Sequence, residues 1–88
     1  MIMAKLVILA VYDVQVGAYM QPMFVPAVGA GVRAFTDEVN REGSPMKAHP
    51  SDYQLFALGT YDDAVGFIES EVKPALIVTA ASCVRVVN

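Results

Sequence analysis

Hydrophobic residues run almost unbroken from Leu6 to Val11, inside a stretch from Lys5 to Val14 that is rich in β-branched residues. That pattern predicts a strand buried on both faces, or buried on one face and packed against a partner on the other. Gln15 to Gly17 can turn the chain, and Ala18 to Val25, carrying Tyr19 and Phe24, predicts a second strand. Pro22 has no N–H to give to a central ladder, so this strand is expected at an edge or with a bulge. Val28, Val32, Phe35 and Val39 then recur at spacings of four, three and four, the apolar stripe of a helix. Arg33, Thr36, Asp37, Asn40 and Arg41 occupy its other positions, and Gly43 with Ser44-Pro45 ends it.

Ser44 to Asp52 reads as a polar loop punctuated by Pro45 and Pro50. Tyr53 to Tyr61 predicts a third strand, Asp62-Asp63 to Gly66 a turn, and Phe67 to Glu71 a returning fourth strand. Pro74 interrupts the chain before Ala75 to Val87, which reads as one or two further strands, with a helix left open. The expected fold class is α+β: a small, mainly antiparallel sheet with one helix packed across a face, in the order β-β-α-β-β-β. Residues 1–88 form a single domain in this reading.

Composition adds an expectation of self-association. Hydrophobic residues make up 56% of the 88, and charged residues only 17%. A chain this short has little interior, so the surplus apolar surface points to a subunit interface and a dimer or larger. Cys83 is the single cysteine, which excludes a disulfide within the chain and fits a reducing compartment. Together with His49 it is too small a set for a structural zinc, and no cofactor or metal is expected. The Leu6–Val11 run is too short to span a bilayer and lacks the flanks of a secretory signal, so an intracellular protein without membrane contact is expected.

Few positions suggest chemistry. Gly29-Ala30-Gly31-Val32-Arg33-Ala34 matches a dinucleotide fingerprint by its letters, but no parallel βαβ unit surrounds it. Its glycines leave room for an anion at the helix N-terminus, against plain spacing as the alternative. His49 has no nucleophile at a recognisable spacing, and Asp62-Asp63 reads as turn chemistry. Nothing forms a base–nucleophile pair, so the expectation is a protein that is not an enzyme.

The aromatic residues carry more. Tyr12, Tyr19, Phe24, Tyr53, Phe56 and Tyr61 all fall on predicted strands, where rings on a sheet face stack on unpaired bases. Core packing is the competing reading, stronger for the phenylalanines than for the tyrosines, whose hydroxyls want water. The candidate nucleic-acid site is Arg33 and Arg41 on the helix, Lys47 in the loop, and Tyr12, Tyr19 and Tyr53 on the sheet. The formal net charge of −3 and pI near 4.8 oppose it, because phosphate contacts supply most of such affinity.

Val11-Tyr12-Asp13, Tyr19 with Gln21-Pro22 and Phe24, and Val32-Arg33-Ala34-Phe35 with Asp37, Val39 and Asn40 form an ordered set. It continues through Ser44-Pro45, His49-Pro50, Asp52-Tyr53, Leu55-Phe56, Gly59, Tyr61-Asp62-Asp63 and Gly66. In order and spacing, from about Lys5 to Phe67, this resembles the small non-structural accessory protein of gokushoviruses, the tailless single-stranded-DNA phages of the Microviridae. The resemblance implies a role in the host bacterial cytoplasm, outside the virion, in moving replication toward single-stranded synthesis and packaging. Single-stranded DNA is then the natural partner. The competing class is an adaptor whose acidic surface contacts phage replication or procapsid proteins without touching DNA. Direct DNA binding expects the six candidate residues to converge on one continuous groove, within the chain or across a dimer interface; their dispersal favours the adaptor.

Overall fold

A computed structural model describes residues 5–85. Strand β1 (Lys5–Asp13) is the second strand of a curled antiparallel sheet. Along one side run β2 (Ala18–Tyr19) and β3 (Met23–Val25); along the other runs β4 (Tyr53–Asp62), followed by β5 (Phe67–Thr79) at the far edge. Helix α1 (Val28–Val39), a four-residue helix α2 (Pro45–Ala48) and a last turn α3 (Ala80–Cys83) complete the chain. The α+β class, the antiparallel pairing and the single main helix are as the sequence predicts.

Both hairpin turns are built alike. Asp13 accepts the N–H of Gly17 on its carbonyl at 2.8 Å and that of Gln15 on Oδ1 at 3.0 Å. Asp62 does the same for Gly66 at 2.8 Å and Ala64 at 3.0 Å. Gly17 and Gly66 close these turns at φ of 75° and 70°, where a side chain is strained. The predicted second strand is split around Pro22, both pieces lying on the edge where a missing N–H costs nothing.

Three local readings differ in detail. The Ser44–Asp52 segment is not irregular: Ser44 caps α2 by accepting the Met46 N–H at 3.1 Å, Pro45 starts that helix, and Pro50–Asp52 is a 3₁₀ turn. Pro74 does not end a strand, because β5 is an edge and its register shifts opposite Leu58, where no ladder bond is required of Pro74. The last predicted strand stops at Thr79, whose hydroxyl accepts the Ser82 N–H and starts α3. Val86 and Val87 of that predicted strand lie outside the described residues.

The core lies between the sheet and α1. Leu9, Val11, Leu55 and Ala57 pack against Phe35, Val39, Met46 and Ala80. Each large apolar side chain enclosed there contributes on the order of 1.5–3 kcal/mol. Gly31 permits the close approach, since a Cβ on it would overlap Leu9 Cδ1. Helices therefore cover one face of the sheet, and the whole is a slab of about 46 × 30 × 18 Å.

Candidate functional site

Strand pairing decides which aromatic side chains meet. On β1 the odd positions Val7, Leu9 and Val11 face the core, so Leu6, Ile8, Ala10 and Tyr12 face the opposite side. Tyr12 is paired with Tyr19, Ile8 with Phe24, Ala10 with Phe56, and Leu6 with Tyr61, which puts all four aromatic partners on that same side. The rings touch: Tyr12–Tyr19 centroids are 4.8 Å apart, Tyr19–Phe56 5.6 Å and Phe24–Tyr61 5.5 Å. On β5, Leu76 pairs with Phe56 and Ile68 with Tyr61, extending the face to the sheet edge. Ile8 and Ala10 are buried beneath these rings, whereas Tyr19 and Phe24 remain nearly half exposed.

Tyr53 does not join this face. It pairs with Asp13, packs against the core on the helical side, and lies near Asp52. Burial, then the charges of Asp13 and Asp52, push its phenol up. A neighbourhood of carboxylates repels phosphate. The parity of β4 changes beyond this point: the register shift at Leu58 turns Tyr61 to the face opposite Tyr53, although both are odd-numbered.

The basic candidates lie in the other layer. Arg41 is held by Glu38, its Nη2 at 2.8 Å from Oε2 and its Nε at 2.9 Å from Oε1. Lys47 is paired with Glu42 beside the open depression formed by Gly43, Ser44 and His49. Arg33 is exposed on α1 and forms no ion pair among the described residues. Arg85, just after α3, reaches Asp37 at 3.5 Å. The six candidate residues thus do not converge on one groove within the chain. Tyr12 and Tyr19 come together, while Arg33, Arg41, Lys47 and Tyr53 lie on the helical side because α1 and α2 cover the opposite face of the sheet.

Phe24, Phe56 and Tyr61 are the residues that the sequence reading left out of the site and the fold places in it. Gly59 is the signal that points to Tyr61, since an isolated glycine within a strand marks a bulge that shifts side-chain parity beyond it. Gly31 of the fingerprint-like stretch is explained by Leu9, and Gly29 faces open space. Among the described residues no group of three or more His, Cys, Asp or Glu is placed to hold a metal. No helix among them is long and apolar enough to cross a membrane.

Residues 6–83 match the protein family described as Phage ORF5 protein. The chain belongs to that family. The match covers β1 through α3, so the sheet, its helical cover and the aromatic face all fall within this phage family's domain. No curated protein and no solved structure matches this phage protein.

Proposed function

We propose that this phage ORF5-family protein is a non-enzymatic, non-structural accessory factor of a gokushovirus. It acts in the host cytoplasm by contacting replication or procapsid proteins during the shift to single-stranded synthesis and packaging. One observation carries the adaptor reading over direct DNA binding: the aromatic face and the candidate cations Arg33, Arg41 and Lys47 lie in opposite layers. Phosphate neutralisation dominates affinity for nucleic acid, and Arg41, Lys47 and Arg85 already neutralise carboxylates of their own chain. With a net charge of −3, little cationic field is left over. The carboxylates of Asp62, Asp63 and Glu69 at the far end of the β4–β5 hairpin suit a partner with basic side chains.

The test is a fluorescence-anisotropy titration of labelled poly-dT at low and moderate salt, with duplex DNA as control. The adaptor reading expects no salt-sensitive binding. A preference for the single strand that weakens with salt would overturn it.

A second reading rests on the Tyr12, Tyr19 and Phe56 cluster, where stacked bases gain roughly 1–3 kcal/mol each. In that case Tyr19→Ala lowers poly-dT affinity about tenfold or more, whereas Arg33→Glu reports whether the helical layer contributes.

A further inference from the structure

An antiparallel sheet with one face in water alternates apolar and polar side chains. This sheet does not. Its helix-free face presents Leu6, Ile8, Ala10 and Tyr12 from β1, and Phe56 and Leu76 from β4 and β5, with Gln54, Ser70 and Thr79 as uncharged polar positions among them. The charged residues at paired positions, Lys5, Asp13, Asp62 and Glu69, all alternate to the other side. Phe24, Ile68 and Leu76 are about half exposed there, at 47%, 55% and 53%. The structure therefore has the two layers of a small domain but the sheet of a three-layer one.

We propose that a second copy of this chain covers this face, packing sheet against sheet about a two-fold axis. Charge selects that occupant. A two-fold interface sets one patch against a copy of itself, so any unbalanced charge on the patch would face the same charge, and a face without charge is free of that penalty. A partner with a charged surface would leave its charges unanswered here. Area agrees. Strands about 4.8 Å apart with about 3.3 Å per residue give this face a footprint of roughly 500–600 Å² per copy. Protruding side chains raise the buried area toward the roughly 800 Å² per partner of a standard interface, which places the dimer among the weaker, reversible ones. Aligned sheets pack about 10 Å apart, close enough for Phe24, Ile68 and Leu76 to interdigitate with their symmetry mates. The edges are poorer candidates: β2 and β3 are two and three residues long, and β5 carries Lys73 and Pro74, a charge and a missing N–H, near its middle.

The experiment is sedimentation equilibrium of the full chain from low to high micromolar concentration. The expected mass is twice 9.5 kDa at the upper end. Leu76→Glu and Phe24→Glu are each expected to weaken the dimer at least tenfold with an unchanged circular dichroism spectrum. Phe67→Glu, at an equally exposed position that alternates to the other side of β5, is expected to leave it intact. A wild-type monomer throughout overturns the proposal, as does a dimer that survives both face variants or is split by Phe67→Glu alone. Should either face variant fail to fold, the wild-type mass and the other variant still decide. Mass reads the second copy and anisotropy reads DNA, so failure here and failure of the adaptor reading are separate results.

Discussion

The side-chain oxygen of Asn40, just past the end of α1, accepts the backbone N–H of Arg85 at 2.9 Å. Its amide nitrogen donates to the carbonyls of Cys83 at 3.0 Å and Thr36 at 2.8 Å. One side chain thereby holds the segment after α3 against the end of the main helix. Replacing it with alanine takes that partner from the partly buried Cys83 carbonyl and from the exposed Arg85 N–H, while Thr36 keeps the Asn40 backbone N–H, at a cost of about 1–3 kcal/mol. Chemical denaturation of Asn40→Ala checks this, and exchange of the Arg85 amide proton is expected to accelerate with it. A variant as stable as the parent would remove the clamp from the account.

Gly31 on α1 lies so close to Leu9 of β1 that a Cβ on it would overlap Leu9 Cδ1. A methyl group at position 31 overlaps the Leu9 side chain, which is fully buried in the core. Gly31→Ala is therefore expected to destabilise by about 1–3 kcal/mol despite alanine's better helix propensity. Gly29→Ala, whose Cβ meets nothing within 4 Å, is expected to be neutral or stabilising. Thermal unfolding of the pair separates packing from propensity; equal effects at both positions would contradict the close approach.

Much of this fold was readable from pattern because its causes are local. Val32, Phe35 and Val39 mark one helix face by spacing alone, and the unbroken apolar run of β1 announced a strand with no water-facing side. The aromatic site was only half legible. Which way Tyr53 and Tyr61 point depends on the register shift at Leu58, a relation between strands that no single-strand pattern contains. Arg41 is a candidate by its position on the polar side of the helix, and its ion pair with Glu38 at i, i+3 removes it as a free phosphate ligand. Ser44 followed by Pro45 is a helix-start signature, obscured by the loop-like density of polar residues around it.

Val39 is completely enclosed by the core between α1 and the sheet. An aspartate there must either ionise without a partner or enter protonated and unsatisfied, and both outcomes cost several kcal/mol. A small domain has about 5–15 kcal/mol in total. Val39→Asp is expected to lose its folded circular dichroism signal or to unfold at markedly lower temperature. Asp37→Val, on the exposed side of the same helix, is expected to keep the fold. A native spectrum and melting point for Val39→Asp would contradict the assigned helix face.

Glu38 links α1 to the start of α2. Its carboxylate accepts from Arg41 and, at 2.8 Å, from the hydroxyl of buried Ser44, whose oxygen in turn accepts the Met46 N–H. The hydrogen bond from Arg41, then that from Ser44, lower its pKa from 4.5 to about 2. A carboxyl whose pKa falls on folding binds protons more readily when unfolded, so its contribution is fully present above about 4.5 and disappears as pH falls through about 2. Solvent reaches Arg41 and Glu38, with side-chain exposures of 57% and 36%, so the contribution is modest and screened by salt. Glu38→Gln removes the charge and keeps the size. The stability gap between wild type and this variant is expected to be constant near neutral pH, to narrow below about 4.5, and to close toward 2. Denaturant titrations of both proteins across that range measure it, the difference cancelling every other titrating group. A gap that stays constant down to the lowest pH would show that the charge of Glu38 contributes nothing, and that the link rests on the Ser44 cap alone.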